Sequence, residues 1–136
     1  ENGNRGLAFS SGLAATDCIL RSFKAGDEII AMDDLYGGTY RMFTRIYKES
    51  GIKFHFVDMT DVAKLKSLIN ENTKLVWVET PTNPLMKLAD IAEVAKITKA
   101  NNILFAVDVG KFYIVDSFDE TYYYERENIK ENIKSY

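Results

Sequence analysis

Three short stretches and one carboxylate carry the side chains that could do chemistry. Residues 10–16 (SSGLAAT) set two hydroxyls and a glycine where a helix begins. Free N–H groups and the positive end of a helix dipole favour a phosphate there, and glycine permits close approach. The same Ser-Ser-Gly is also an ordinary N-cap, its commoner use. It is neither a P-loop nor a GxGxxG fingerprint, since the spaced glycines and the P-loop lysine are missing. Residues 33–39 (DDLYGGT) put Tyr36 beside two glycines, where the ring could stack on a planar ligand or simply pack into a turn. Residues 79–84 (ETPTNP) hold both prolines of the chain, whose fixed φ and missing donor hold the backbone in one path as it leaves a strand. Asp108 ends the last apolar strand, where a carboxylate calls for a cationic partner: a lysine, an arginine or a protonated pyridine nitrogen.

The elements that must position these residues follow from hydrophobic periodicity. Residues 12–24, 39–50, 62–69 and 91–97 carry apolar side chains at helical spacing, with Asp61 and Asp90 placed to cap the last two. Residues 28–32, 52–57, 75–78 and 103–107 read as strands, most of them too uniformly apolar to face water on either side. Helix and strand alternate. The pattern predicts an α/β domain with a largely parallel sheet covered by helices on both faces, and ligands in such sheets bind beyond the carboxyl ends of the strands. That rule selects the turn after Met32, the loop after Val78, and Asp108.

Composition excludes little. The 136 residues are long enough for one domain with a core of its own, and a net charge of −3 gives no reason to expect nucleic acid or an anionic membrane as partner. One cysteine makes no internal disulfide, and with no apolar run of membrane-spanning length and no signal peptide the expected setting is cytoplasmic. His55, the single histidine, supports no triad or multi-histidine metal site and reads as a satisfied structural or surface histidine. Cys18 reads as a buried small apolar residue, Trp77 as core, and the acids at 33, 34, 58 and 61 as turn and cap residues.

Residues 6–16 (GLAFSSGLAAT), 25–27 (AGD), 32–39 (MDDLYGGT), 74–84 (KLVWVETPTNP) and Val107-Asp108 resemble the pyridoxal-phosphate enzymes of cysteine and methionine metabolism, with the nearest likeness to cystathionine γ-lyase and γ-synthase. The likeness runs in order from about residue 6 to residue 108. It implies part of the large domain of an aspartate-aminotransferase-like (fold type I) enzyme, a pyridoxal 5'-phosphate cofactor, and carbon–sulfur lyase or γ-replacement chemistry on cystathionine or an activated homoserine. By the same resemblance Ser11, Gly12 and Leu13 form the phosphate turn. Tyr36 stacks on the pyridine ring and assists proton transfer, Asn83 lies near the ring oxygen and the substrate carboxylate, and Asp108 pairs with the ring nitrogen. Homo-oligomers are implied too.

The chain departs from the family in two places. Asp108 is followed by Val109-Gly110 where the family has Asn-Thr, and no Ser-x-Thr-Lys stretch supplies a Schiff-base lysine. Thr73-Lys74 and Thr98-Lys99 have Glu71 and Lys96 in the serine position, and Lys111 is near Asp108, but nearness in sequence does not make it an aldimine lysine. By itself the chain is therefore expected to be catalytically incompetent, or a silent binding or interaction fragment. Residues 109–136 read as a divergent charged, Tyr-rich tail after a partial cofactor-binding domain at 1–108, and residues 119–136 as a solvated helix or unstructured end. The tail's composition would suit a frameshift or an abnormal junction. Glu1 at the start, followed by an interior-like residues 6–9, gives the expectation of an excerpt from a longer chain.

Overall fold

The structure, a computed structural model, describes residues 5–109 and the backbone of residues 112–115. Helix α1 (Gly12–Leu20) leads into β1 (Glu28–Met32), α2 (Gly37–Met42) and a π-helical turn (Phe43–Tyr47) that prolongs it. Next come β2 (Lys53–Val57), α3 (Val62–Leu68), β3 (Thr73–Glu79), α4 (Ile91–Ala100), β4 (Leu104–Asp108) and β5 (Phe112–Val115). The strands form one sheet in the order β2-β1-β3-β4-β5. The first four are parallel and β5 runs antiparallel to β4.

The strand order fixes where the helices lie. From β1 the chain steps outward to β2, then returns across β1 to β3 and continues to β4. Right-handed crossovers put α2 on one face of the sheet and α3 and α4 on the other. The contacts agree, because α1 packs on α2 and α3 on α4. The step directions reverse between β1 and β3, so the crevice beyond the carboxyl ends of these two neighbours is the topological switch point.

Burial explains the apolar runs. All five residues of β1 are buried, as are all of β3 except Lys74, whereas the edge strand β2 is only partly covered. Phe43 from the π-helical turn stacks on Phe54 at 4.8 Å between centroids and meets Trp77 edge-on at 5.5 Å, which ties the α2 side to the centre of the sheet. Asp61 and Asp90 cap α3 and α4 as expected, accepting from the N–H groups of Ala63 and Glu93.

Some local expectations change. The first helix ends at Leu20 and not near residue 24, because Gly26, at φ +91°, turns the chain into β1 while Asp27 takes the Lys24 N–H at 2.9 Å. Cys18 is exposed, since α1 turns Ala15, Thr16 and Leu20 inward and position 18 falls on the opposite side. Leu7 and Phe9 are exposed and not interior. β5 lies within the stretch 109–136 read as a tail. Lys111 and residues 119–136 lie outside the described residues.

His55 has the structural role expected. Glu28, buried at the start of β1, accepts from Asn70 Nδ2 at 2.9 Å and pairs with His55 Nε2 at 2.8 Å and Lys53 Nζ at 3.3 Å. Asn70 first, then His55, hold its carboxyl down at about 2. A carboxylate whose folded pKa lies below its ordinary value stabilises the fold above about pH 4.5, and loses that contribution as the pH falls toward 2. Glu28→Gln should therefore cost about 1–3 kcal/mol at pH 7 in urea unfolding, with the deficit shrinking as the pH drops from 4.5 to 2.

Candidate functional site

The residues selected at strand and helix ends converge on the carboxyl side of the sheet. Ser11, Gly12, Leu13, Tyr36, Thr39 and Asp108 line one cavity of about 220 Å³. Ser11 sits in extended backbone and caps α1 by accepting the Ala14 N–H at 3.1 Å. The N–H groups of Gly12 and Leu13 belong to the first helical turn, which has no carbonyl one turn behind it to bond. Tyr36 is half-exposed and opens α2. Asp108 ends β4, in register with Glu79 at the end of β3.

Gly38 makes room for the ring. A methyl group there would fall 2.4 Å from Tyr36 Cε1 and 3.2 Å from Leu13 Cδ1, so the missing Cβ lets the tyrosine lie against the helix start. The cavity thus offers N–H groups at a helix N-terminus, an aromatic face and a carboxylate. That set suits a planar ligand with a phosphate at one end and a cationic ring nitrogen at the other, so the residues present fit pyridoxal phosphate.

Asn83 is placed differently. It stands exposed on the loop after β3, outside the cavity lining, in a segment where the Thr80-Pro81 and Asn83-Pro84 peptides are both cis.

Sequence reasoning missed the residues that hold these loops. Glu79 accepts the Tyr36 N–H at 2.8 and 3.1 Å, and Asp34 accepts Thr82 Oγ1 and, at 2.8 Å, the Leu85 N–H. Each carboxylate reaches across the β1/β3 crevice to the other's loop. Lys87 adds an outer staple, its Nζ lying 2.8 Å from Asp33 and 3.1 Å from Asp58. Thr39 was also missed as a lining residue. Glu79 carries a signal in the sequence, a carboxylate at the end of an apolar strand in the same position as Asp108. Among the described residues no group of histidine, cysteine and acidic side chains could hold a metal.

Burial pushes the Glu79 carboxyl up to about 7, against the Tyr36 N–H, with Asp108 and Asp34 adding like-charge repulsion. Here the folded pKa lies above the ordinary 4.5, so the folded state holds a proton that the unfolded chain releases, and stability falls as the pH rises from 4.5 to 7. Glu79→Gln, which keeps an acceptor oxygen without the charge, should match the wild type near pH 4.5. It should exceed it by about 2–3 kcal/mol at pH 8, measured by urea unfolding at both values.

Comparison with known proteins agrees with this geometry. The family described as Cys/Met metabolism PLP-dependent enzymes matches residues 1–112. Over 113 residues the chain is 56% identical to the cystathionine gamma-synthase/O-acetylhomoserine (thiol)-lyase of Bacillus subtilis, covering 83% of this chain and 30% of that protein. It is 51% identical to cystathionine gamma-lyase of Mus musculus over 109 residues, covering 79% and 27%. The crystal structure of cystathionine gamma-lyase from Lactobacillus plantarum complexed with L-serine superposes with a TM-score of 0.73 at 42% identity, covering 74% of this chain and 26% of that one. The chain therefore spans about 30% of the length of the curated relatives it matches. With the strand-end site and a family match over most of its length, this chain belongs to the pyridoxal-phosphate-dependent enzymes of cysteine and methionine metabolism.

Proposed function

We propose that these residues form the phosphate- and ring-binding part of a cytoplasmic enzyme that cleaves or forms carbon–sulfur bonds in amino acids, with cystathionine or an activated homoserine as substrate. The observation that carries the reading is the convergence of the α1 N-terminus, Tyr36 and Asp108 on one cavity. Pyridoxal phosphate, when bound, draws electrons from the substrate's α-carbon.

The chain's own residues do the holding. Backbone N–H groups at Ser11, Gly12 and Leu13 meet the phosphate, helped by the helix dipole. Tyr36 lies against the ring and is placed to move a proton at its hydroxyl. Asp108 keeps a proton on the ring nitrogen, because a carboxylate beside it favours the charged form. Asn83, which the family resemblance sets near the ring oxygen and the substrate carboxylate, stands at the rim on a loop tied back through Thr82 and Leu85 to Asp34.

The 136 residues contain no Ser-x-Thr-Lys segment, and on that observation a second reading stands beside the first: by themselves they bind the cofactor without covalent attachment and without turnover. An absorbance titration of the 136-residue chain with pyridoxal 5'-phosphate, beside a urea-denatured control, tests both readings. Saturable binding with no borohydride-fixed lysine adduct is expected; a titration indistinguishable from the denatured control would overturn cofactor binding, and reduction fixing the label on a single lysine would overturn the non-covalent reading. Asp108→Asn should weaken binding about tenfold by removing the ring nitrogen's counter-charge. Gly38→Ala should weaken it by a similar factor with the far-UV circular dichroism unchanged, because the added methyl displaces the Tyr36 ring.

A further inference from the structure

Resting on the proposed function, we infer that Thr39 is a further cofactor-holding residue. Its hydroxyl donates to a phosphate oxygen, adding a side-chain donor to the backbone N–H groups of Ser11, Gly12 and Leu13.

The hydroxyl serves no partner within the fold. Three other threonines in helical segments, Thr16, Thr44 and Thr98, each donate Oγ1–H to a carbonyl three or four residues earlier, at 3.0, 2.8 and 3.0 Å. Such back-bonding is common for a helical threonine. Thr39 does not follow them, because it stands in the first turn of α2 and the residue four before it, Leu35, precedes the helix. Among the described residues its Oγ1 meets no donor or acceptor. Thr39 is nevertheless only 1% exposed, and because its oxygen is not sealed off, the little surface it keeps lies at the hydroxyl, on the cavity. A valine would fill the same shape without leaving a hydroxyl unanswered in a buried place.

The surroundings select the phosphate as its partner. The first turns of α1 and α2 meet here, since Gly38, next to Thr39, leaves Leu13 Cδ1 only 3.2 Å from where a Cβ would stand. Of the other lining side chains, Ser11 Oγ already caps α1, Tyr36 offers its ring, and Asp108 repels an anion. Thr39 is the lining side chain that brings an uncommitted donor to the helix start.

Titrations of the 136-residue chain with pyridoxal 5'-phosphate and with pyridoxal, which lacks the phosphate, test this. Thr39→Val should bind pyridoxal 5'-phosphate about tenfold more weakly than the wild type and pyridoxal about equally, while Thr39→Ser should stay within about threefold of the wild type for both. Urea unfolding without ligand should give Thr39→Val a midpoint equal to or above the wild type's, because the hydroxyl has no protein partner to lose. Equal affinity of Thr39→Val and the wild type for pyridoxal 5'-phosphate overturns the inference, as does an equal loss toward both ligands or a lowered urea midpoint, the mark of a structural role. Should pyridoxal saturate neither protein, the pyridoxal 5'-phosphate comparison decides. A wild type that shows no saturable binding of pyridoxal 5'-phosphate overturns the proposed function and this inference with it; a wild type that binds, matched by Thr39→Val, overturns this inference alone.

Discussion

The site depends on two carboxylates exchanged across the crevice between β1 and β3. Asp34 leaves the end of β1 and takes its donors from the loop after β3, while Glu79 ends β3 and takes the Tyr36 N–H from the loop after β1. Loops at strand ends are otherwise free to drift, because they lack the ladder that fixes the strands. Here each donates short, partly buried hydrogen bonds to the carboxylate at the end of the other's strand. The π-helical turn and the Phe43–Trp77 contact anchor the far end of α2, so Tyr36 is fixed from both directions.

That arrangement is possible only in a sheet whose connections reverse direction at β1 and β3. Had β3 been laid outside β2, the loops after β1 and β3 would not face each other, and Asp34 and Thr82 could not meet. The parallel register places Glu79 directly beside Asp108, so the carboxylate that ties the loops and the one that lines the cavity stand on neighbouring strands. Packing and chemistry therefore share one constraint: the apolar strands β1 and β3 must be buried side by side before their polar ends can converge.

Much of this was legible in the chain. Uniformly apolar runs at 28–32 and 75–78 marked the buried strands, Asp61 and Asp90 marked helix starts, and the strand-end rule singled out Tyr36 and Asp108. What escaped were interactions that span long sequence separations. Nothing local to Glu79 says that its partner is the N–H of Tyr36, and nothing local to Asp34 points to Thr82. Cys18 was misjudged for a similar reason, because its neighbours Ile19 and Leu20 look apolar, yet the helix face that sheet packing selects runs through Ala15, Thr16 and Leu20. Periodicity identifies an apolar face only approximately when the helix is nine residues long.

The polarity of the finished site carries the argument one step further. The start of α1 presents the positive end of a helix dipole, while Asp34, Glu79 and Asp108 crowd negative charge at the strand ends. A neutral planar ligand would leave both poles unanswered. An anion alone would suit the helix but face the carboxylates, and a cation alone would do the reverse. A ligand with a phosphate at one end and a positive charge at the other answers both poles. The fold thus sets a negative half at the strand ends and a positive half at the helix start, and the Glu79 carboxyl is raised first by burial and then by its acidic neighbours Asp108 and Asp34.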